Sequence, residues 1–188
     1  MMISNYYSKK DLKLFNFRSC GENVSISKNT LIINPSRISI GSNVRIDAFT
    51  SLIASTSIDI GSFVHIGCNV YINGADNVII SDFCGLSSGV KLYTSSDDYS
   101  GNYLTNPTIP KHLNNSSKGM VTLEQFVNIG SNTVIMPSVT IKRGSAVGAL
   151  SLVTKSLPSW YIYMGVPVRK IKKRSKKIEK LAKSINEK

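Results

Sequence analysis

The stretch that decides the fold is LEQFVNIGSNTVIMPSVTIKRGSAVGALSLV, residues 123–153. An aliphatic residue falls on every sixth position: Leu123, Ile129, Ile135, Ile141, Val147 and Val153. Four places after each comes a small or β-branched residue: Val127, Thr133, Val139, Ser145 and Ser151. The same beat runs upstream through Ile40, Ile46 and Leu52, through Ile60, Ile66 and Ile72, and through Ile80, Leu86 and Leu92. A period of six fits neither a helix nor one long alternating strand. It is the mark of a parallel β-solenoid, in which each hexad forms one short side of a coil.

The aliphatic residue is expected to point inward and stack on its counterpart one coil away, with the small residue turning inward near a corner. Glycine often follows the aliphatic (Gly41, Gly61, Gly67, Gly130, Gly148), and is expected to relieve a tight backbone there. A β-sandwich of short strands does not hold one period for six consecutive hexads. Ile40, Ile60 and Ile80 are spaced so that each coil is three hexads plus a two-residue corner. Coils are expected from Gly21 to Val168, after an N-terminal cap over residues 1–20 in which Leu12, Leu14 and Phe15 cover the first coil. Residues 93–120, rich in Ser, Asn, Asp, Pro and Gly, break the beat and read as an ordered functional excursion from the wall. Pro158 ends the repeat, and residues 169–188 read as a basic helix with Ile171, Ile178, Leu181 and Ile185 on one face.

The chain has 188 residues and 41% hydrophobic content, enough for one domain with a core. It has no apolar run of about 18 residues and no apolar secretory segment at its start. Its three cysteines lack metal-like spacing, and Cys84 falls on an inward position. These features favour a soluble protein in a reducing cytoplasm, with no metal and no membrane insertion. The formal charge is +12, but residues 169–188 hold ten Lys/Arg and two Glu, so +8 of it sits in the tail and +4 in the other 168 residues. The solenoid is therefore not a basic platform, and a nucleic-acid partner is not expected. The outward positions Arg45, Ser51, His65, Tyr71 and Lys91 are mixed, unlike the regular ranks of a binding solenoid.

The hexads, the exit loop SSDDYSGNYLTNPTIP and the closing run GALSLVTKSLPSWYIYMGVPVRKIKKR together resemble the hexapeptide-repeat acyltransferases. The nearest likeness is to the branch that N-acetylates nucleotide-linked amino sugars such as dTDP-4-amino-4,6-dideoxy-D-glucose, for surface polysaccharide. The resemblance implies an all-β, left-handed parallel β-helix with an excursion loop and a short C-terminal α-helix. That handedness runs against the usual right-handed crossover. It also implies a homotrimer with sites at the subunit clefts, acetyl-CoA as co-substrate and a nucleotide sugar as acceptor. O-acetylation of a sugar or glycan is the close alternative.

Acetyl transfer needs a base for the acceptor's proton, a donor for the oxyanion and aligned substrates. Only His65 and His112 offer imidazole. His65, in GSFVHIG, is expected to point outward between Arg45 and Gly85 of the adjacent coils, with Gly85 leaving room for a ligand; His112 reads as a solvated loop residue. Many members of the family place a histidine where the chain leaves the wall; here that place reads LYTSSDD. The base is therefore His65, or Asp97 or Asp98, or there is none. Asp98 is a second catalytic candidate, and Asp97, Tyr71, Lys91 and Tyr99 are candidates for the sugar nucleotide. By resemblance the outward backbone groups of Gly148, Ala149 and Ser151 would hydrogen-bond pantetheine, and Lys155, Lys170, Lys173 and Arg174 would bind the phosphates of coenzyme A. Trp160, Tyr161 and Tyr163 would either line the cleft or pack the helix link.

Overall fold

The computed structural model describes residues 5–185. Its coils form three walls. The first stacks Ser19–Cys20, Ile38–Ile40, Ile58–Ile60, Val78–Ile80, Val121–Leu123 and Thr140–Ile141. The second stacks Ser25–Ile26, Arg45–Ile46, His65–Ile66, Gly85–Leu86, Asn128–Ile129, Ala146–Val147 and Tyr161–Met164, with Arg169–Lys173 at its edge. The third stacks Leu31–Ile33, Ser51–Ala54, Tyr71–Gly74, Lys91–Tyr93, Val134–Ile135 and Leu152–Val153. Every pairing between coils is parallel, and the chain forms a left-handed β-helix.

The register follows the hexads. Ile46, Ile66, Leu86, Ile129 and Val147 stand in one column of the second wall. Leu52, Ile72, Leu92, Ile135 and Val153 form another in the third. All ten are buried, and each such Ile or Leu contributes roughly 1.5–3 kcal/mol relative to exposure. The small-residue positions are also inside. Their hydroxyls find carbonyl partners: Thr50 donates to Gly67 O at 2.9 Å, Thr133 to Gly148 O at 3.0 Å and Ser145 to Pro158 O at 2.8 Å.

The glycines after the aliphatics serve a different purpose from the one expected. None of the five has a positive φ. A Cβ on Gly41 would lie 2.6 Å from the Gly61 carbonyl carbon, and one on Gly130 would lie 2.4 Å from Ala149 N. Glycine is required there because the next coil passes too close for a side chain. The left-handed turn comes two residues later, on Asn43, Phe63, Phe83 and Phe126 at one corner and on Phe49, Asn69, Gly89, Asn132 and Leu150 at the next. Asn tolerates this conformation; Phe is costlier there. Part of that cost is offset by stacking, with Phe63–Phe83 centroids 4.8 Å apart and Phe83–Phe126 5.1 Å.

Three boundaries differ from expectation. The coils begin at Ser19, and the helix α1 (Lys9–Leu14), closed by a Ser8/Asp11 capping box, buries Leu12 but leaves Leu14 79% exposed. Residues 169–173 are not helical: Arg169–Lys173 runs back antiparallel on Tyr161–Met164, so exposed Ile171 belongs to a strand. The helix α2 spans only Lys177–Lys183. The excursion is ordered, its base tied by antiparallel Ser95–Ser96 and Ser117–Lys118.

Ile129→Ala removes a fully buried rung from the second wall and is expected to cost about 2–5 kcal/mol in denaturant unfolding. Leu14→Ala, at an exposed position, should stay within about 0.5 kcal/mol of the parent.

Candidate active site

His65 projects from the second wall, with Arg45 before it and Gly85 after it in register. Its Nε2 lies 2.8 Å from Asp47 Oδ2. Asp47, two residues after Arg45 on the preceding coil, keeps only 11% of its side chain exposed. Its Oδ1 accepts from Arg45 Nε at 2.7 Å and from the Tyr6 hydroxyl at 2.9 Å. Burial pushes the Asp47 carboxyl up, but the hydrogen bonds from His65, Arg45 and Tyr6 and the Arg45 charge outweigh it, and its pKa falls below the ordinary value.

Beside His65 the missing Gly85 side chain opens a groove of about 370 Å³. His65, Gly85, Asn128 and Phe83 form one side, and Ile178 and Leu181 of α2 the other. The helix is fastened there by Arg143–Glu179 at 2.8 Å.

The corner from the second to the third wall carries Gly67-Cys68, Ser87-Ser88, Gly130-Ser131 and Gly148-Ala149 on successive coils. No hydrogen bond among the described residues occupies the backbone N–H of Cys68, Ser88, Ser131 or Ala149. At the preceding corner several of the equivalent N–H groups are taken by side chains: Ser42 N donates to Ser62 Oγ at 3.0 Å, Ser62 N to Asp82 Oδ1 at 2.7 Å and Arg143 N to Glu124 Oε2 at 2.8 Å. One edge of the prism thus presents an unbroken column of available donors, while its neighbour is capped in part by its own side chains.

The remaining predicted residues separate into groups. Tyr71 and Lys91 pair on the third wall. Asp97 lines a loop cavity of about 610 Å³ together with Asn106, Lys111 and Lys118. The Asp98 carboxylate accepts from Ser100 Oγ at 2.8 Å and from the Gly101 and Tyr103 N–H groups at 3.1 and 3.3 Å. Hydrogen bonds from Ser100, then from backbone, lower its pKa. Tyr99 is fully extended to solvent at 91% exposure. The loop leaves from the third wall and returns to the first, whereas His65 is on the second. One chain therefore does not bring His65 to Asp97 or Asp98.

One expectation at the coenzyme end is corrected. Arg174 Nη1 donates to the carbonyls of Phe126, Gly144 and Ser145 at 2.8, 3.1 and 3.2 Å. It clamps the start of the helical segment to the wall instead of reaching outward for phosphate, and burial lowers its pKa. The Ser151 hydroxyl faces inward and accepts from Gly165 N at 3.1 Å, and the residue's carbonyl accepts from Val134 N at 2.9 Å. Gly148 N–H is bound to Tyr163 O, while Ala149 stays exposed. Lys155 and Lys173 are exposed, and Lys170 Nζ sits 4.5 Å over the Tyr161 ring. Tyr163 is buried, donating to Pro158 O, and Trp160 packs so closely on Gly144 that a Cβ there would meet its ring at 2.5 Å. Both pack the link.

Asp47 was missed by sequence reading. The signal for it was the coil register, which sets it diagonally beside His65. Among the described residues no group of His, Cys, Asp and Glu suits a metal ion, and no helix is long and apolar enough to cross a membrane.

No family model matches the chain. The dTDP-4-amino-4,6-dideoxy-D-glucose acyltransferase of Escherichia coli is 39% identical over 178 residues, 94% of this chain and 92% of that one. AntD, an N-acyltransferase from Bacillus cereus solved with dTDP and 3-hydroxybutyryl-CoA, is 44% identical with a TM-score of 0.93, covering 98% of each chain. A chloramphenicol acetyltransferase of Agrobacterium fabrum is 30% identical over 54% of this chain and of its own. The chain belongs to the hexapeptide-repeat acyltransferase family. It is an acyltransferase.

Arg174→Ala is expected to leave three carbonyls without their donor and to lower stability by about 1–3 kcal/mol, read by thermal unfolding. Asp47→Asn tests the carboxylate. A group with a depressed folded-state pKa stabilises above its unfolded value, about 3.9, and that stability is lost as pH falls through the folded value. The variant should therefore show a shallower loss of melting temperature below about pH 4.

Proposed function

We propose that this protein transfers an acyl group from acyl-CoA to the amine of a dTDP-linked 4-amino-4,6-dideoxy sugar. The observation that carries this reading is likeness over nearly the whole chain to two proteins named for that chemistry; AntD has also been solved with dTDP-4-amino-4,6-dideoxyglucose and coenzyme A. The open N–H column at Cys68, Ser88, Ser131 and Ala149 suits pantetheine amides and carbonyls lying along the prism edge. Exposed Lys155, Lys170 and Lys173 suit the coenzyme's phosphates.

The active molecule in this reading is a trimer. The outward side of the third wall supports it: Leu31 and Ile33 are 51% and 40% exposed, and their columns continue through Ser51, Tyr71, Lys91, Val134 and Leu152 and through Ile53, Asn73 and Tyr93. This face is apolar and aromatic, broken by Ser51, Asn73 and Lys91, a mixture that suits a contact between copies. Packed against a second copy, it would let the excursion of one subunit, with Asp97, Asp98 and Tyr99, reach the donor-bearing edge of the next. Further support comes from spacing: two substituted positions in the AntD complexes are a serine and an aspartate ten residues later, and Ser87–Asp97 and Ser88–Asp98 have the same interval here.

Chemically, the neutral amine attacks the thioester carbonyl, the C–N bond forms, and the C–S bond breaks. His65 Nδ1 takes the nitrogen's proton and passes it to the departing thiolate; Asp97 and Asp98 hold the amine. In this reading the step belongs to the cytoplasm, on the way to a surface polysaccharide; supporting it, a protein 34% identical over 37% of this chain is named a putative lipopolysaccharide biosynthesis O-acetyl transferase of Escherichia coli.

The test is thiol release with acetyl-CoA and 3-hydroxybutyryl-CoA against dTDP-4-amino-4,6-dideoxyglucose and its 4-hydroxy counterpart. Turnover is expected with the amine alone, and turnover of the hydroxyl counterpart alone would establish O-transfer instead. Asp98→Asn should lower kcat/KM by about 10²-fold or more. Sedimentation should give a trimer that Leu31→Glu dissociates; a monomer with full activity would remove the shared site.

A further inference from the structure

Asp47 is the most heavily engaged carboxylate on the outer surface of the second wall. Its two oxygens have separate tasks. Oδ1 takes both structural donors, Arg45 Nε and the Tyr6 hydroxyl. Oδ2 is given to His65 Nε2. No hydrogen bond among the described residues occupies the other imidazole nitrogen, Nδ1. The histidine is more than half exposed while its carboxylate partner is nearly covered, at 55% and 11%. A buried acid behind an exposed imidazole, with one ring nitrogen held and the other bare, is the arrangement that orients a general base.

We propose that Asp47 is the positioning residue of the transfer site, holding His65 in the tautomer protonated on Nε2 so that the Nδ1 lone pair receives the amine's proton. This rests on the reading of His65 as the base. As the C–N bond forms, Nδ1 gains the proton and the ring becomes an imidazolium, whose new charge Asp47 balances at 2.8 Å. The proton then leaves for the thiolate released from coenzyme A, and the imidazole returns to its starting tautomer. The charged groups around the pair are few. Asp47 is faced by Arg45 on its own strand and by Tyr6 from the N-terminal segment. His65 has Arg45 on the preceding coil and uncharged Gly85 on the following one, and Arg174 borders the same groove. Arg45 also lies 5.6 Å over the Tyr6 ring, and both donors act on Oδ1 while the histidine takes Oδ2.

Asp47→Asn discriminates this role from simple fastening of the N-terminal segment. The Arg45 cation claims the new amide's oxygen, so its NH₂ faces His65 and forces the proton onto Nδ1. The expected result is a fall in kcat of about 10²-fold or more with KM little changed. In ¹⁵N-labelled full-length protein the His65 ring signals should switch from the Nε2–H to the Nδ1–H pattern. Tyr6→Phe, which removes a donor from Oδ1 and leaves the His65–Oδ2 contact in place, should keep both kcat and the Nε2–H pattern. The inference is overturned if Asp47→Asn retains wild-type kcat, or if its folded form keeps the Nε2–H pattern. The two readings fail differently. Full activity in His65→Gln removes the base itself, whereas an inactive His65→Gln beside a fully active Asp47→Asn removes only the role of Asp47.

Discussion

The constraint on which everything else depends is the fixed register between coils. Each rung donates its backbone N–H groups to the carbonyls of the next coil, as His65 does to Cys84 and Gly85 to Val127. That ladder sets Ile66 on Leu86 and Leu86 on Ile129, and a slip of one residue would turn every buried aliphatic outward. No coil can satisfy its own backbone or bury its own aliphatics, so the stack stands only as a whole. The same register fixes the outer surface. Arg45, His65, Gly85, Asn128 and Ala146 form a column because the aliphatics one residue later do.

The prism's three edges are chemically unequal although one repeat builds them. Where the first wall meets the second, Ser62 and Asp82 cap the N–H groups of Ser42 and Ser62, and three phenylalanines in left-handed conformation stack into a ladder that meets Arg143 and α2. Where the second meets the third, residues 68, 88, 131 and 149 leave theirs open. Where the third meets the first, the chain departs altogether into the excursion. One edge is covered by rings and partly capped, one is a strip of donors, and one supplies an arm. A cleft between copies can draw on the second and third of these at once, which a single prism cannot do.

Much of this was legible in the sequence, for a physical reason. Inward positions are held to one residue type by stacking, so Ile60, Ile66 and Ile72 announce themselves, and the outward setting of His65 between Arg45 and Gly85 follows by counting. The excursion was legible because nothing from Tyr93 to Met120 keeps the beat. Features that depend on contacts between coils were harder to read. Gly41 and Gly130 look like turn glycines until the neighbouring backbone is in place. Arg174 looks like another tail cation, but the hairpin formed by Tyr161–Met164 and Arg169–Lys173 swings it onto three wall carbonyls. The helical spacing of Ile171 and Ile178 concealed that hairpin, since the pairing of Tyr161 with Lys173 is decided by the turn between them and not by periodicity. Asp47 lies 18 residues before its partner, two short of the coil repeat, so a search along one column passes it by.

In a repeat protein, chemistry has to be sought where the repeat is broken. An outward position that changes character from coil to coil is free of the stacking constraint, so its identity reflects something other than the core. The second wall shows this over three coils: Arg45 and Asp47, then His65 and Gly67, then Gly85 and Ser87. The charge pair, the imidazole and the notch occur once each, on adjacent rungs about 4.8 Å apart. The spacing that makes the core monotonous brings these different groups within hydrogen-bonding range of one another. The rigid stack can hold a proton acceptor in a fixed orientation, which the excursion, tied at its base through two-residue strands, is less suited to do. The division of labour follows from that mechanical difference: the rung carries the orienting group, and the arm carries the groups that must adapt to a sugar.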